Sequence, residues 1–213
     1  NYLALLGWSI GHDRELFTLK EMADAFEIER VNPNSAQFDL KKCEAINGMK
    51  IRELTVDDLA ERLVPFLREA GLVGDTLSDE QWSLLREATP LVQERIAVLA
   101  EAADMLGFLF VADDAFEVDP GEAAKAFTAD GLEVIRTART SLANVTTWTT
   151  QAIETALRAS LIDGMGLKPR KAFGPVRVAV TGKKVSPPLF ESLELLGREK
   201  ALGRLGAALA AEE

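Results

Sequence analysis

Short helices, each opened by a capping side chain and closed by a breaker, recur along almost the whole chain. Thr18-Leu19-Lys20-Glu21 and Ser78-Asp79-Glu80-Gln81 have the spacing of a capping box, in which a hydroxyl accepts from the third helical N–H and the third side chain reaches back. Asp39 can cap a helix over residues 40–46, with Asn47-Gly48 as its left-handed stop. Thr55 opens another, with Val56, Leu59, Leu63, Phe66 and Leu67 on one stripe and Gly71 at its end. Pro90 suits the first turn of a further helix, and residues 91–106 read as four amphipathic turns. Pro120 and Asp130 start two more. Ile153, Leu157 and Leu161 carry a helix to Gly164-Met165-Gly166, and Pro187 and Pro188 precede two last helices split at Gly197. Two-residue alternation is almost confined to residues 176–180, so the fold class is all-α with at most one short β element near 176–181.

Composition narrows the function. The chain has 213 residues, 47% hydrophobic and 27% charged, enough for one large domain or two small ones. Its most apolar stretches, residues 3–8 and 105–112, fall far short of the ~20 residues a membrane span needs. The opening, without methionine or signal-peptide features, reads as a piece cut from a longer protein. A single cysteine, Cys43, allows no internal disulfide and no multi-thiolate metal site, which makes the cytoplasm the expected compartment. The single histidine, His12, sits in the turn-like Gly11-His12-Asp13 and is expected to be an exposed loop residue. There is no P-loop, no glycine fingerprint after a strand and no HExxH. Carboxylate pairs such as Asp57-Asp58 and Asp113-Asp114 read as helix-start charge or solvated loop. No catalytic residue and no metal ligand is expected.

A net charge of −10 speaks against a uniformly polyanion-binding surface, but the charge is unevenly spread. Residues 101–133 hold nine acidic side chains and one basic, whereas residues 164–190 hold six basic and no acidic one. In the second segment Lys168-Pro169-Arg170-Lys171, Arg177 and Lys183-Lys184 recur among glycines and prolines, as though on irregular backbone. Such a surface can hold phosphates and read bases; it can equally be a solvated loop on an acidic protein.

Specific residues then bring a resemblance. The run from Lys171-Ala172-Phe173-Gly174-Pro175 to Thr181-Gly182, followed by Ser186-Pro187-Pro188-Leu189-Phe190-Glu191 and Leu195-Leu196-Gly197-Arg198-Glu199, resembles the anticodon-binding region of bacterial glutamyl-tRNA synthetases. Asn1-Tyr2-Leu3-Ala4-Leu5-Leu6-Gly7-Trp8-Ser9 resembles the family's segment after its KMSKS-type loop. Phe38-Asp39-Leu40-Lys41-Lys42, Ile46-Asn47-Gly48 and Ile51-Arg52 resemble its stem-contact region. Cys43 and Ala45 depart from the leucine and the bulky aromatic that the family favours there.

The resemblance implies a helical cage in two sub-bundles, with residues 1–54 a stem-contact remainder, 55–143 a first anticodon-binding subdomain and 144–213 a second. It implies a partner, glutamate tRNA, gripped at the anticodon loop and inner stem by a monomer, with no role for DNA or a membrane. It implies ATP and magnesium for the full-length enzyme and no cofactor in this piece, which would bind tRNA without charging it. Arg177 matches an arginine that contacts the anticodon, and Ser186, Pro187 and Leu189 match a loop that packs against its bases. Arg95 matches an arginine that sees the third anticodon base. On a helical wheel it falls among Leu91, Leu99, Ala102 and Leu106, where a charge needs a partner. Lys168, Arg170, Lys171, Lys183 and Lys184 are assigned to phosphates. Lys41, Lys42 and Arg52 read as a solvated helix face, and Trp8, Trp82 and Trp148 as core. Two other readings stay open: a helical adaptor working through the acidic 101–133 face, and a stand-alone enzyme built on His12 or Cys43.

Overall fold

The fold is known from a computed structural model, which describes residues 1–11, 14–33 and 36–210. His12 lies outside the described residues. Among the described residues twelve α-helices follow one another: α1 Tyr2–Leu5, α2 Leu19–Ala25, α3 Leu40–Arg52, α4 Val56–Glu69, α5 Asp79–Gln93, α6 Glu101–Phe110, α7 Pro120–Ala126, α8 Ala129–Ala143, α9 Thr150–Leu157, α10 Pro169–Thr181, α11 Leu189–Leu196 and α12 Arg198–Ala210. Among the described residues there is no strand, so the all-α class holds. None of the helices is long and apolar enough to cross a membrane.

The starts follow the capping chemistry. Thr18 and Ser78 form complete capping boxes with Glu21 and Gln81, and Asp39 and Thr55 accept from Lys42 and Asp58 N–H groups. Glu21 accepts from the Thr18 backbone and from Arg14, which lowers its pKa to about 2. In α4 the stripe Leu59, Leu63 and Leu67 is fully buried, each side chain contributing about 1.5–3 kcal/mol of transfer free energy.

Four local expectations change. Asn47-Gly48 lies inside α3, not at its end: Asn47 donates to the Ala97 carbonyl at 2.6 Å and Gly48 packs against Ala97, so the pair is a close helix contact. Pro90 lies inside α5. The single helix expected over residues 91–106 is broken, because the Glu101 carboxylate accepts from the N–H groups of Ala97 and Val98 and restarts the chain as α6. The β element expected near 176–181 is the second half of α10. Its buried residues Ala172, Val176, Ala179 and Val180 recur at i, i+4, i+7 and i+8, the helical period, and this burial overrides the β preference of the valines.

One apolar core runs from Ile51 to Ala208. Helix α4 packs on α5 and α6; α8 packs on α10 and α12; α11 packs on α9, α12 and α5, joining the two groups. Trp82 and Trp148 pack against this core, Trp148 donating to the Leu193 carbonyl at 2.9 Å. Trp8 is buried with Phe17 edge-on to its ring at 5.8 Å.

Arg204 ties the layers together. Its guanidinium, 5% exposed, donates to the Val180 carbonyl at 2.8 Å and the Phe108 carbonyl at 2.9 Å, in the last turns of α10 and α6. It stacks over Phe116 at 3.6 Å, with Asp113 3.6 Å away. A cation at two helix carboxyl ends satisfies carbonyls that have no partner in their own helices. Burial lowers its pKa, and Asp113 offsets part of that.

Candidate nucleic-acid interface

The basic segment is not loop. Lys168 is the residue before α10, Pro169 fills its first position, and Arg170 and Lys171 complete its first turn. The proline is preorganised for that place and has no N–H to leave unpaired. The first turn contains no acidic residue, and no side chain caps it. Three cations therefore stand at the positive end of the helix dipole, an arrangement that costs stability unless an anion joins it.

Further along α10, the Arg177 Nη1 donates to Ser186 Oγ at 2.8 Å and to the Pro187 carbonyl at 2.6 Å. Its Nε and Nη2 have no partner among the described residues. Burial lowers the Arg177 pKa first, the charge of Arg95 lowers it further, and Glu191 opposes both. The two arginines thus stand close enough to feel each other. Arg95 is not inside an apolar stripe: it sits exposed in the turn after α5, its N–H bonded to Val92, and makes no ion pair among the described residues.

Arg170, Lys171, Arg177 and Lys184 line one groove of about 1160 Å³, floored by apolar side chains that include Leu167 and Phe173. Its opposite wall, from α7 and α8, carries Glu122, Asp130 and Glu133. Arg170, Lys171 and Lys184 are exposed and make no salt bridge among the described residues, as is true of Lys168 at the helix start.

Other expected residues take different places. Lys183 pairs with Asp104 at 2.8 Å on the exposed surface. Ser186, Pro187 and Leu189 are buried, Ser186 at 6% and Leu189 at 3% exposure. Leu189 belongs to the core, and Ser186 and Pro187 spend their oxygens on Arg177. They support the arginine and offer no open face for a base to stack on. Lys42 pairs with Glu15 at 2.5 Å.

The loop between α10 and α11 is fixed at its start by Gly182. Its φ is +78°, an added Cβ would lie 2.8 Å from the Glu117 carbonyl oxygen, and its own carbonyl accepts from the Asp119 N–H at 2.9 Å. Gly182→Ala should therefore lower stability by about 1–3 kcal/mol, measured by denaturant titration, through a left-handed backbone and a backbone clash.

Residues 58–209 match the family model described as "Anticodon binding domain". The chain belongs to that family. It is 54% identical over 209 residues to the glutamate–tRNA ligase of a Nocardioides species, covering 98% of this chain and 43% of that protein. It is 55% identical to the glutamate–tRNA ligase of Saccharopolyspora erythraea, covering 41% of it. The chain thus spans well under half the length of these relatives. Its fold matches the crystal structure of a glutamate tRNA ligase from Elizabethkingia meningosepticum with a TM-score of 0.81 at 19% identity, covering 99% of this chain and 40% of that one. The family match contains the whole of α10 and the loop after it.

Proposed function

We propose that this chain is the tRNA-recognition part of a cytoplasmic glutamate–tRNA ligase, gripping the anticodon loop of glutamate tRNA along α10. Residues 1–54 would meet the inner stem, and residues 55–143 and 144–213 the anticodon loop, in a monomer. The observation that carries the reading is the set of unpaired cations along and just beside α10 of an anticodon binding domain, beside an arginine whose Nη1 is held by Ser186 and Pro187 while its Nε and Nη2 stay free. Attachment of glutamate, with ATP and magnesium, would belong to the part that the longer relatives carry beyond this chain.

The geometry divides the labour. Lys168, Arg170, Lys171 and Lys184 act as charges that set the register of the RNA backbone at the positive end of the α10 dipole. An anticodon base, unpaired and splayed outward, can stack on the planar Arg177 guanidinium or be read by its Nε and Nη2. Arg95 adds a second, unpaired guanidinium to the same field. The adaptor reading gains nothing: of the nine carboxylates in residues 101–133, Glu101, Asp104, Asp113, Asp119, Glu122 and Glu133 are engaged within the protein as caps or ion pairs.

Binding of glutamate tRNA should fall steeply with salt. Each of Lys168→Ala, Arg170→Ala, Lys171→Ala and Lys184→Ala should reduce the log–log slope by about 0.7–0.9, read by filter binding or anisotropy, while Lys183→Ala should leave it nearly unchanged. Four unchanged slopes would refute the phosphate assignment.

A further inference from the structure

Resting on the reading above, we infer that Glu191 is a specificity-determining residue: its carboxylate, near Arg177 and Arg95, repels phosphate from that pair of guanidinium groups and so reserves them for the edges of bases. Glu191 lies in the first turn of α11. That helix packs on α10, which carries Arg177, and on α5, which leads into Arg95. The Ser186 and Pro187 oxygens that hold Arg177 belong to the residues just before the same turn. On the α5 side Glu191 shares a cleft with Leu91, four residues before Arg95. The three charges therefore stand in one neighbourhood, and those of Glu191 and Arg95 are both felt at Arg177.

The carboxylate is not spent on either arginine. Among the described residues Glu191 makes no ion pair, and its Oε2 is buried with no hydrogen-bond donor. Two other carboxylates of the cleft do have donors: Glu87 accepts from Ser83 at 3.0 Å and Glu194 from the Thr150 N–H at 2.9 Å. A helix start favours an acidic residue, but an exposed one would serve that end without burying an unpaired oxygen, which costs stability. Two guanidinium groups with free N–H groups form a ready clamp for a phosphate, and every nucleotide of an RNA carries one. A negative charge near them, sealed from water, repels an approaching phosphate, whereas the neutral edge of a base meets little of that opposition. A hairpin with the wrong anticodon then cannot recover affinity by laying a phosphate on the arginines.

The test uses the 213-residue chain with a matched and a scrambled anticodon stem-loop RNA over a range of salt. Glu191→Gln keeps the shape and removes the charge. It should bind the scrambled hairpin about three- to tenfold more tightly at low salt, with a log–log slope steeper by about 0.7–0.9, one further phosphate, and the matched hairpin within about twofold of wild type. Preference for the matched anticodon then falls by about the same factor. Glu191→Met, which has no amide to form new bonds, should do the same, and Glu191→Asp, which keeps the charge, should keep the wild-type slope and preference. A residue that merely supported the fold would, when replaced, weaken both hairpins and leave the slopes alone. That result, or unchanged slopes and preference in both the glutamine and methionine variants, would overturn this inference alone, provided wild type still prefers the matched hairpin. If wild type does not distinguish the two hairpins, the anticodon reading fails and this inference falls with it.

Discussion

Replacing Arg204 by methionine should destabilise the chain by about 2–4 kcal/mol, measured as a fall in denaturation midpoint, and Arg204→Ala by about 3–5 kcal/mol. Methionine keeps most of the volume but leaves the carbonyls of Val180 and Phe108 buried without donors, each costing about 1–3 kcal/mol. Alanine adds a cavity beside Phe116, whose ring then faces empty space. Burying a guanidinium is itself costly, and among the described residues the charge is opposed by one carboxylate at 3.6 Å, so the carbonyls hold it more than the ion pair does. Asp113→Asn, which leaves both carbonyl bonds intact, should cost less than either arginine substitution. A methionine variant as stable as wild type would show that solvent reaches those carbonyls.

Arg177→Ala should abolish preference for the matched anticodon, a loss of about 1–3 kcal/mol in discrimination, while binding to a scrambled stem-loop changes little beyond one phosphate's worth of salt dependence. Arg177→Lys should also fail. One ammonium can reach Ser186 or Pro187 but cannot bond both and still present a flat, two-donor edge to a base. Competition binding with matched and scrambled hairpins measures both. Retained preference in either variant would remove Arg177 from base reading and leave the groove a phosphate track.

The sequence announces helix starts reliably, because caps are local: Thr18, Asp39, Thr55 and Ser78 need only the residues two or three further on. It hides what depends on distant packing. Residues 91–106 carry an unbroken helical pattern, and the break is made by the Glu101 side chain reaching back to Ala97 and Val98. The valines before Thr181 look like a strand when taken alone, and like a helix once Ala172 is counted with them. In the candidate site, the run of cations from Lys168 to Lys184 is legible from order along the chain, but its helical setting and the bonding of Ser186 and Pro187 to Arg177 are not. Nor is the burial of Ser186 and Leu189, since it depends on how α11 seats against α9, α12 and α5. Arg204 leaves a trace: Ala201, Arg204, Leu205 and Ala208 form one stripe at i, i+3, i+4 and i+7. A charge inside such a stripe is the signal.

The first turn of α10 sets cation against dipole with no acidic residue to offset the repulsion. A chain selected for endurance alone would place an aspartate there, as it does before α3 and α7. The molecule instead leaves one turn internally at odds, a piece of folding that a bound polyanion would complete.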